Sequence, residues 1–353
     1  MFKHRIDRRL LVTGMASAAL VGRFSSVARA EEPAKPDALV VNASGGEMGA
    51  ALEEAYGGVF TRNTGIPIRM TSPHDLGKLR AMVESGNVEW DVTELGGAEA
   101  RIAASMGLLE AIDDSVVDRS AYPAEARDPH LLTTSIYSTI LAFREDAFPE
   151  GAPATWADFW DVERFPGSRS LANNPADNLE FALLADGVAA KDLYPLDVDR
   201  AFAKLDAIRP HVTAWWSSGA QHVQMLVDRE VVLSSAWNGR IFNAVGKGSP
   251  LGIAWEGSAI HGAYFGIPKG AANTYWSQRF LAAATDPQAQ ASFANRFVSP
   301  GLNPLSTQYA DPAVIDFLPT KPENLAVSFW QDDLWWADNL ATVKERWQRW
   351  MLG

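Results

Sequence analysis

Strand-like and helix-like segments alternate near the start of the chain at roughly 25-residue spacing, and few folds accommodate that order. Ala38 to Asn42 is a short apolar strand that stops at Ala43-Ser44-Gly45-Gly46. A helix follows over Glu47 to Asn63, closed by Gly65 where a left-handed cap is wanted. Ile66 to Met70 is a second strand, Leu76 to Glu84 a second helix ending near Gly86, Asp91 to Leu95 a third strand, and Ala98 to Met106 a third helix. Strands joined by single helices pair in parallel, so the fold class is α/β. Once a leader is removed, about 320 residues remain, more than one ordinary core needs, and two lobes are expected.

The Ser-Gly-Gly loop lacks the glycine and lysine spacing of a phosphate loop and the Gly-x-Gly-x-x-Gly of a dinucleotide site, so nucleotide binding is unsupported. Ser44 and the amides of Gly45 and Gly46, at a helix N-terminus, are instead read as facing a ligand. A second cluster lies further on. Trp215-Trp216-Ser217-Ser218-Gly219 precedes a short helix over 220–227 and an apolar strand that ends abruptly in Trp237-Asn238-Gly239-Arg240. Aromatic rings beside small polar groups at a strand mouth supply the flat walls and directional hydrogen bonds of a small-molecule cleft. An isolated tryptophan pair more often fills a core; the rest of the chain favours the cleft.

Met1 to Ala30 carries Lys3, Arg5, Arg8 and Arg9, an apolar run over Leu10 to Val21, and the small-residue ending Val27-Ala28-Arg29-Ala30. The run is too short to span a bilayer, which needs roughly 20 apolar residues. It reads as a removable export signal, and Arg8-Arg9 fits either the twin-arginine or the general secretory route. Residues 31–37 read as a mature N-terminal tail. Removing 1–30 takes away six basic residues and one acidic one, leaving 25 Lys and Arg against 42 Asp and Glu, a net charge of −17. That balance argues against nucleic acid as a partner.

Catalytic patterns are absent. There is no Cys, which excludes disulfides, thiolate nucleophiles and cysteine zinc sites. The six His form neither His-x-x-x-His nor His-Glu-x-x-His, and Gly-x-Ser-x-Gly is missing, so no metal, cofactor or serine nucleophile is expected. Carboxylate pairs such as Glu53-Glu54 and Asp113-Asp114 read as helix surface.

A series of phrases resembles the solute-binding proteins of ABC importers, in particular the spermidine/putrescine receptors. They are Phe60 to Arg69, Trp90-Asp91-Val92, Gly107-Leu108-Leu109, Thr155 to Trp160, Trp237-Asn238-Gly239, Gly266 to Gly270 and Asp286 to Gln290. Their order and spacing cover nearly the whole chain after the leader. The resemblance implies a two-lobed periplasmic-binding-protein fold of the second type, with a ligand cleft between lobes joined by crossing strands. Ser135 to Phe143 is the expected first crossing and Ala263 to Ile267 the return. Lobe 1 would comprise 38–136 plus 262–306, and lobe 2 would comprise 137–261 plus 307–353. The last helix, Asp333 to Leu352, carries a stripe of Trp336, Leu340, Val343, Trp347 and Trp350 that ties the tail onto the second lobe.

The resemblance also implies a ligand site. The family's strand-end Trp falls on Trp237, its acidic pair on Asn174 and Asp177, and the aspartate of its return strand on Ala263, with His261 at the aromatic position. The first-lobe aromatics fall on Ala43 and Gly46. Trp216, Ser217, Asn238 and, on the return strand, Tyr264 complete the expected ligand contacts. Arg240 stands beside the Trp-Asn-Gly and either faces the ligand or salt-bridges outward. Carboxylates lost and a guanidinium gained suit a zwitterionic or carboxylated solute better than a diamine, with Glu94 the candidate substitute acid. The expected role is a monomeric periplasmic receptor, not an enzyme, that captures a small polar solute and delivers it to a membrane permease. A secreted non-metal lyase or hydrolase on the same fold, or a ligand sensor feeding a chemoreceptor, are the alternatives.

Overall fold

The computed structural model describes residues 32–353, and the leader lies outside them. Nine strands form one mixed sheet: β1 (Leu39–Asn42), β2 (Ile68–Thr71), β3 (Val92–Gly96), β4 (Leu132–Arg144), β5 (Arg169–Ala172), β6 (Val212–Trp216), β7 (Leu233–Trp237), β8 (Leu251–Gly266) and β9 (Phe329–Trp330). Their order is β2-β1-β3-β8-β4-β7-β5-β6, with β9 beside β8. At each flank the strands run parallel, β1 with β2 and β3, and β5 with β6 and β7. Parallel pairing follows from the helix between each pair of strands, because a parallel neighbour needs a crossover.

The centre is antiparallel. β4 and β8 pair from Leu132↔Phe265 to Arg144↔Leu251, and each also pairs antiparallel with a flank strand, β8 with β3 and β4 with β7. The expected crossing at Ser135 to Phe143 thus lies inside a 13-residue strand. The expected return at Ala263 to Ile267 is only the end of a 16-residue one. The register shifts between Thr139↔Ala259 and Leu141↔Ala254. There β8 swings outward through Gly257 (φ 72°), whose carbonyl accepts from the Trp156 indole at 2.8 Å. A positive φ is a conformation that glycine reaches without steric cost.

The apolar core is divided between the two flanks. One cluster draws on 39–132 and 265–293, around Tyr56, Phe60, Phe265 and Phe280. Another draws on 141–259 and 329–347, around Trp156, Phe181, Leu205 and Trp336. The first helix runs from Gly46 to Thr64 as expected, but a wide π turn over Glu53–Gly57 interrupts it. That turn places Tyr56, whose hydroxyl donates to the Thr134 carbonyl at 2.7 Å. Gly65 and Gly86 are left-handed caps. Thr155 and Asp158 form a capping box, and Asp286 caps the helix that opens with Pro287.

The C-terminal helix Asp333–Leu352 packs on the second cluster through Trp336, Val343 and Trp347, all buried. The Trp347 indole also donates to Asn173 Oδ1 at 3.2 Å. Trp347→Ala should therefore cost about 3–5 kcal/mol of stability, read as a lowered urea midpoint. An unchanged midpoint would mean that this helix is peripheral.

Candidate ligand-binding site

The strands β1, β3 and β7 end at one face of the sheet, where the chain turns into helices, and two adjoining compartments open there. The first, about 280 Å³, is lined by Ser44 after β1, Glu94 on β3, Tyr137 on β4, and Trp237 and Arg240 after β7. The second, about 260 Å³, is lined by Asn174, Asp177, Ser217, His261 and Gln331. Tyr137 and Trp237 belong to both and form the waist between them.

Trp237 is held on three sides, by Trp216 at 5.5 Å, His222 at 5.8 Å and Tyr137 at 6.2 Å between ring centroids. Its fourth side rests on Gly219, where a Cβ would stand 2.5 Å from the indole. No other residue fits there without displacing the ring. His222 Nε2 accepts the Trp237 backbone N–H at 3.4 Å. Burial, and then the charge of Arg240, push the His222 pKa down to about 3, so the imidazole stays neutral. Asn238 lines the first compartment, but its side chain is already used: it donates to the Val298 and Phe317 carbonyls and accepts from the Ser138 N–H.

The first compartment contains two opposite charges. Glu94 is buried, and its carboxylate receives one hydrogen bond, from the Ser44 N–H at 2.7 Å. Arg240, in the first turn of the helix Asn238–Gly246, is half-buried. Among the described residues neither makes an ion pair, and the Arg240 guanidinium makes no hydrogen bond.

The second compartment is arranged differently. Asp177 opens the helix Pro175–Ala185 with φ 72°, after an extended Ala176. This strained pair turns the carboxylate inward, where it accepts from Thr139 at 2.7 Å and Gln331 at 3.1 Å and meets His261 Nε2 at 3.0 Å. Burial alone would lower the His261 pKa, but Asp177, with Asp333 and Glu180 behind it, reverses the effect and raises it. His261 also stacks on Tyr137, its cross-strand partner, at 4.9 Å. Beneath lies Glu180, fully buried. It accepts from Tyr194 at 2.6 Å and Trp336 at 2.7 Å through Oε1, while Oε2 has no partner. Burial, and next Asp177, push its pKa up to about 7.

Of the residues expected from sequence, Ser44, Asn238 and Arg240 line the first compartment, Asn174, Asp177, Trp216 and Ser217 the second, and Trp237 both. Gly45 and Gly46 line neither; a Cβ on Gly45 would lie 2.9 Å from Ser72 Oγ, so that turn packs on a neighbouring loop. Tyr264 also lies outside both, buried, with its hydroxyl on Asp333 at 2.9 Å and Arg101 over its ring at 5.2 Å. Sequence reasoning missed Tyr137 and Gln331, and it named His261 without a role. Tyr137 had a signal: Ser135, Tyr137 and Thr139 alternate with Ile136 and Ile140, the period-2 pattern of a strand with one face on a cleft. Among the described residues no cluster of side chains suits a metal ion.

The chain belongs to the bacterial extracellular solute-binding proteins, whose family model matches residues 50–323. It is 34% identical over 343 residues to the gamma-aminobutyric acid-binding protein of Pseudomonas aeruginosa, covering 93% of this chain and 94% of that one. The solved structure of a GABA receptor superposes with a TM-score of 0.84 at 35% identity, over 89% of this chain and 97% of the receptor. The spermidine/putrescine-binding periplasmic protein of Salmonella typhimurium is more distant, 25% identical over 60% of this chain and 61% of its own length. The fold is thus that of periplasmic binding proteins. The protein is a substrate-binding component of ABC transport that captures a small polar solute, and not an enzyme.

Two outcomes follow from the packing around this site. Gly219→Ala should push Trp237 toward the cavity and weaken solute binding about tenfold or more, while the melting temperature changes little; unaltered affinity would show that the ring yields freely. Glu180 binds its proton more tightly folded than unfolded, so its contribution to stability is fully present below about 4.5 and is lost as the pH rises through about 7. Glu180→Gln keeps an acceptor for Tyr194 and Trp336 without that loss. The variant should gain up to about 3 kcal/mol over the parent between pH 4.5 and 8.5. Parallel stability curves would contradict this.

Proposed function

We propose that this protein is an exported receptor for a short amino acid whose ammonium and carboxylate lie at opposite ends, of the 4-aminobutyrate type. The observation that carries this reading is the unpaired Glu94 and Arg240 in one compartment. Leaving charges in a cavity without counter-ions costs several kcal/mol, and a zwitterion repays both costs at once. Arg240 offers a planar fork suited to a carboxylate, and Glu94 an acceptor suited to an ammonium, with Trp237 and Tyr137 as walls for the chain between them. The gamma-aminobutyric acid-binding relative, at 34% identity over nearly the whole length, supports the same solute class. A diamine is disfavoured. Its second ammonium would need Asp177, whose oxygens already serve His261, Thr139 and Gln331.

Capture works by closure of two lobes, 38–136 plus 262–306 and 137–261 plus 307–353, about the long central strands. The divided core supports separate bodies on the two flanks. The protein acts as a monomer in the periplasm, reached by its leader and by the twin-arginine route if Arg8-Arg9 are read as such. The closed form docks on the permease subunits in the inner membrane. Nucleic acid plays no part, in keeping with the acidic mature chain.

Calorimetric titration tests this. 4-Aminobutyrate should bind at least a thousandfold more tightly than putrescine, and Arg240→Leu should cost the zwitterion about 2–4 kcal/mol. Submicromolar putrescine affinity, or an Arg240→Leu variant with undiminished affinity for 4-aminobutyrate, would overturn the reading.

A further inference from the structure

The compartment beyond the waist has no place in a site for a bare 4-aminobutyrate, yet its polar groups are set out for binding. It is electrically settled: its one carboxylate, Asp177, is met by His261, Thr139 and Gln331. Four neutral side chains around it keep hydrogen-bonding capacity that no protein group uses. Asn174 occupies an N-cap position, where its carboxamide would ordinarily accept from the first helical turn. Here that turn is broken at Ala176 and Asp177, and the Asn174 side chain makes no hydrogen bond. Asn173 spends its Oδ1 on the Trp347 indole and leaves its Nδ2 free. Gln331 spends its Nε2 on Asp177, which turns its Oε1 free. The Ser217 hydroxyl is likewise unengaged, only its backbone N–H being used, by Gln221.

All four line the same 260 Å³ space as the rings of Trp216, Trp237 and Tyr137. Free donors and acceptors of no net charge, beside aromatic faces, match a carboxamide or a row of hydroxyls. They match neither a second ammonium nor a plain alkyl chain. Tyr137 joins this space to the first one, since it lines both. A substituent on the nitrogen of an ammonium held on Glu94 would reach the second space past the Tyr137 and Trp237 rings, which line both.

We propose that the second compartment is a subsite for an uncharged hydrogen-bonding tail, so that the solute is an amino acid carrying a carboxamide or hydroxyl substituent on its ammonium nitrogen. This rests on the zwitterion reading given above. The test is calorimetric titration of the full protein with 4-aminobutyrate and three N-substituted forms of it. One bears a carbamoylmethyl tail, one a 2,3-dihydroxypropyl tail and one an n-propyl tail; all keep the cationic nitrogen.

At least one polar tail should bind about tenfold or more tightly than the propyl tail, because a site built to hydrogen-bond rejects an analogue that cannot. The amide arm winning identifies a carboxamide tail, and the diol arm a polyol. Asn174→Leu, a change at an exposed side chain without contacts to lose, should bring the ratio of polar to propyl affinity close to one. If 4-aminobutyrate binds but no polar tail improves on propyl, the subsite is refuted and the zwitterion reading stands. A tail preference that survives Asn174→Leu places the tail elsewhere and also refutes it. If no zwitterion binds, both proposals fall.

Discussion

The antiparallel pairing of β4 with β8 is the constraint on which the rest of this molecule depends. Each of the two strands also pairs with a neighbouring strand on a different flank, so the parallel strands on either side are held through this central pair. The same pair supplies the middle of the site. Tyr137 and His261 sit opposite each other on it, Thr139 pairs with Trp237 on β7, and Ala263 lines the first compartment. A strand pair long enough to join two cores is stiff in its hydrogen-bonded plane, while its register shifts leave places where the chain can bend.

Charge in the site is distributed unequally, and selectivity follows from that inequality. In the second compartment the protein supplies its own partners: His261, Thr139 and Gln331 answer Asp177, and Glu180 below is pushed toward its neutral form by burial and by Asp177. In the first compartment Glu94 and Arg240 are paired neither with each other nor with another described residue, and both wait for a counter-ion. A polyamine would compete with His261 for Asp177; a zwitterion competes with nothing.

Local signals in the sequence located much of the fold. Caps at Thr155 and Asp286, the glycines at 65 and 86, and the stripe of the last helix each act over a few residues, so they survive without knowledge of the whole. The first half of β8 did not, because Gly252, Gly257 and Gly262 break its pattern. Gly252 is small for a reason that lies elsewhere in the chain: a Cβ there would stand 2.4 Å from the Phe143 ring. The clustering of aromatic and polar residues in sequence pointed to Trp237 and Arg240, both of which line the first compartment. Asp177 was reached only through the family resemblance, since Asn174-Pro175 reads as an ordinary capped helix start and nothing local announces a positive-φ aspartate bonded to a histidine 84 positions away. Gly45, Gly46 and Tyr264 were read as ligand contacts from their neighbourhood alone; Gly45 packs on Ser72 and the Tyr264 hydroxyl is turned onto Asp333, neither of which the sequence places beside them.

On the proposed reading, Arg240 and Glu94 hold the two ends of one zwitterion within the first compartment, beside the aromatic waist. A crystal structure of the protein with 4-aminobutyrate bound tests it most directly. The account predicts the carboxylate in bidentate contact with the Arg240 guanidinium and the ammonium on Glu94, with the chain against Trp237. An ammonium seated on Asp177 with His261 displaced, or a carboxylate remote from Arg240, would contradict it.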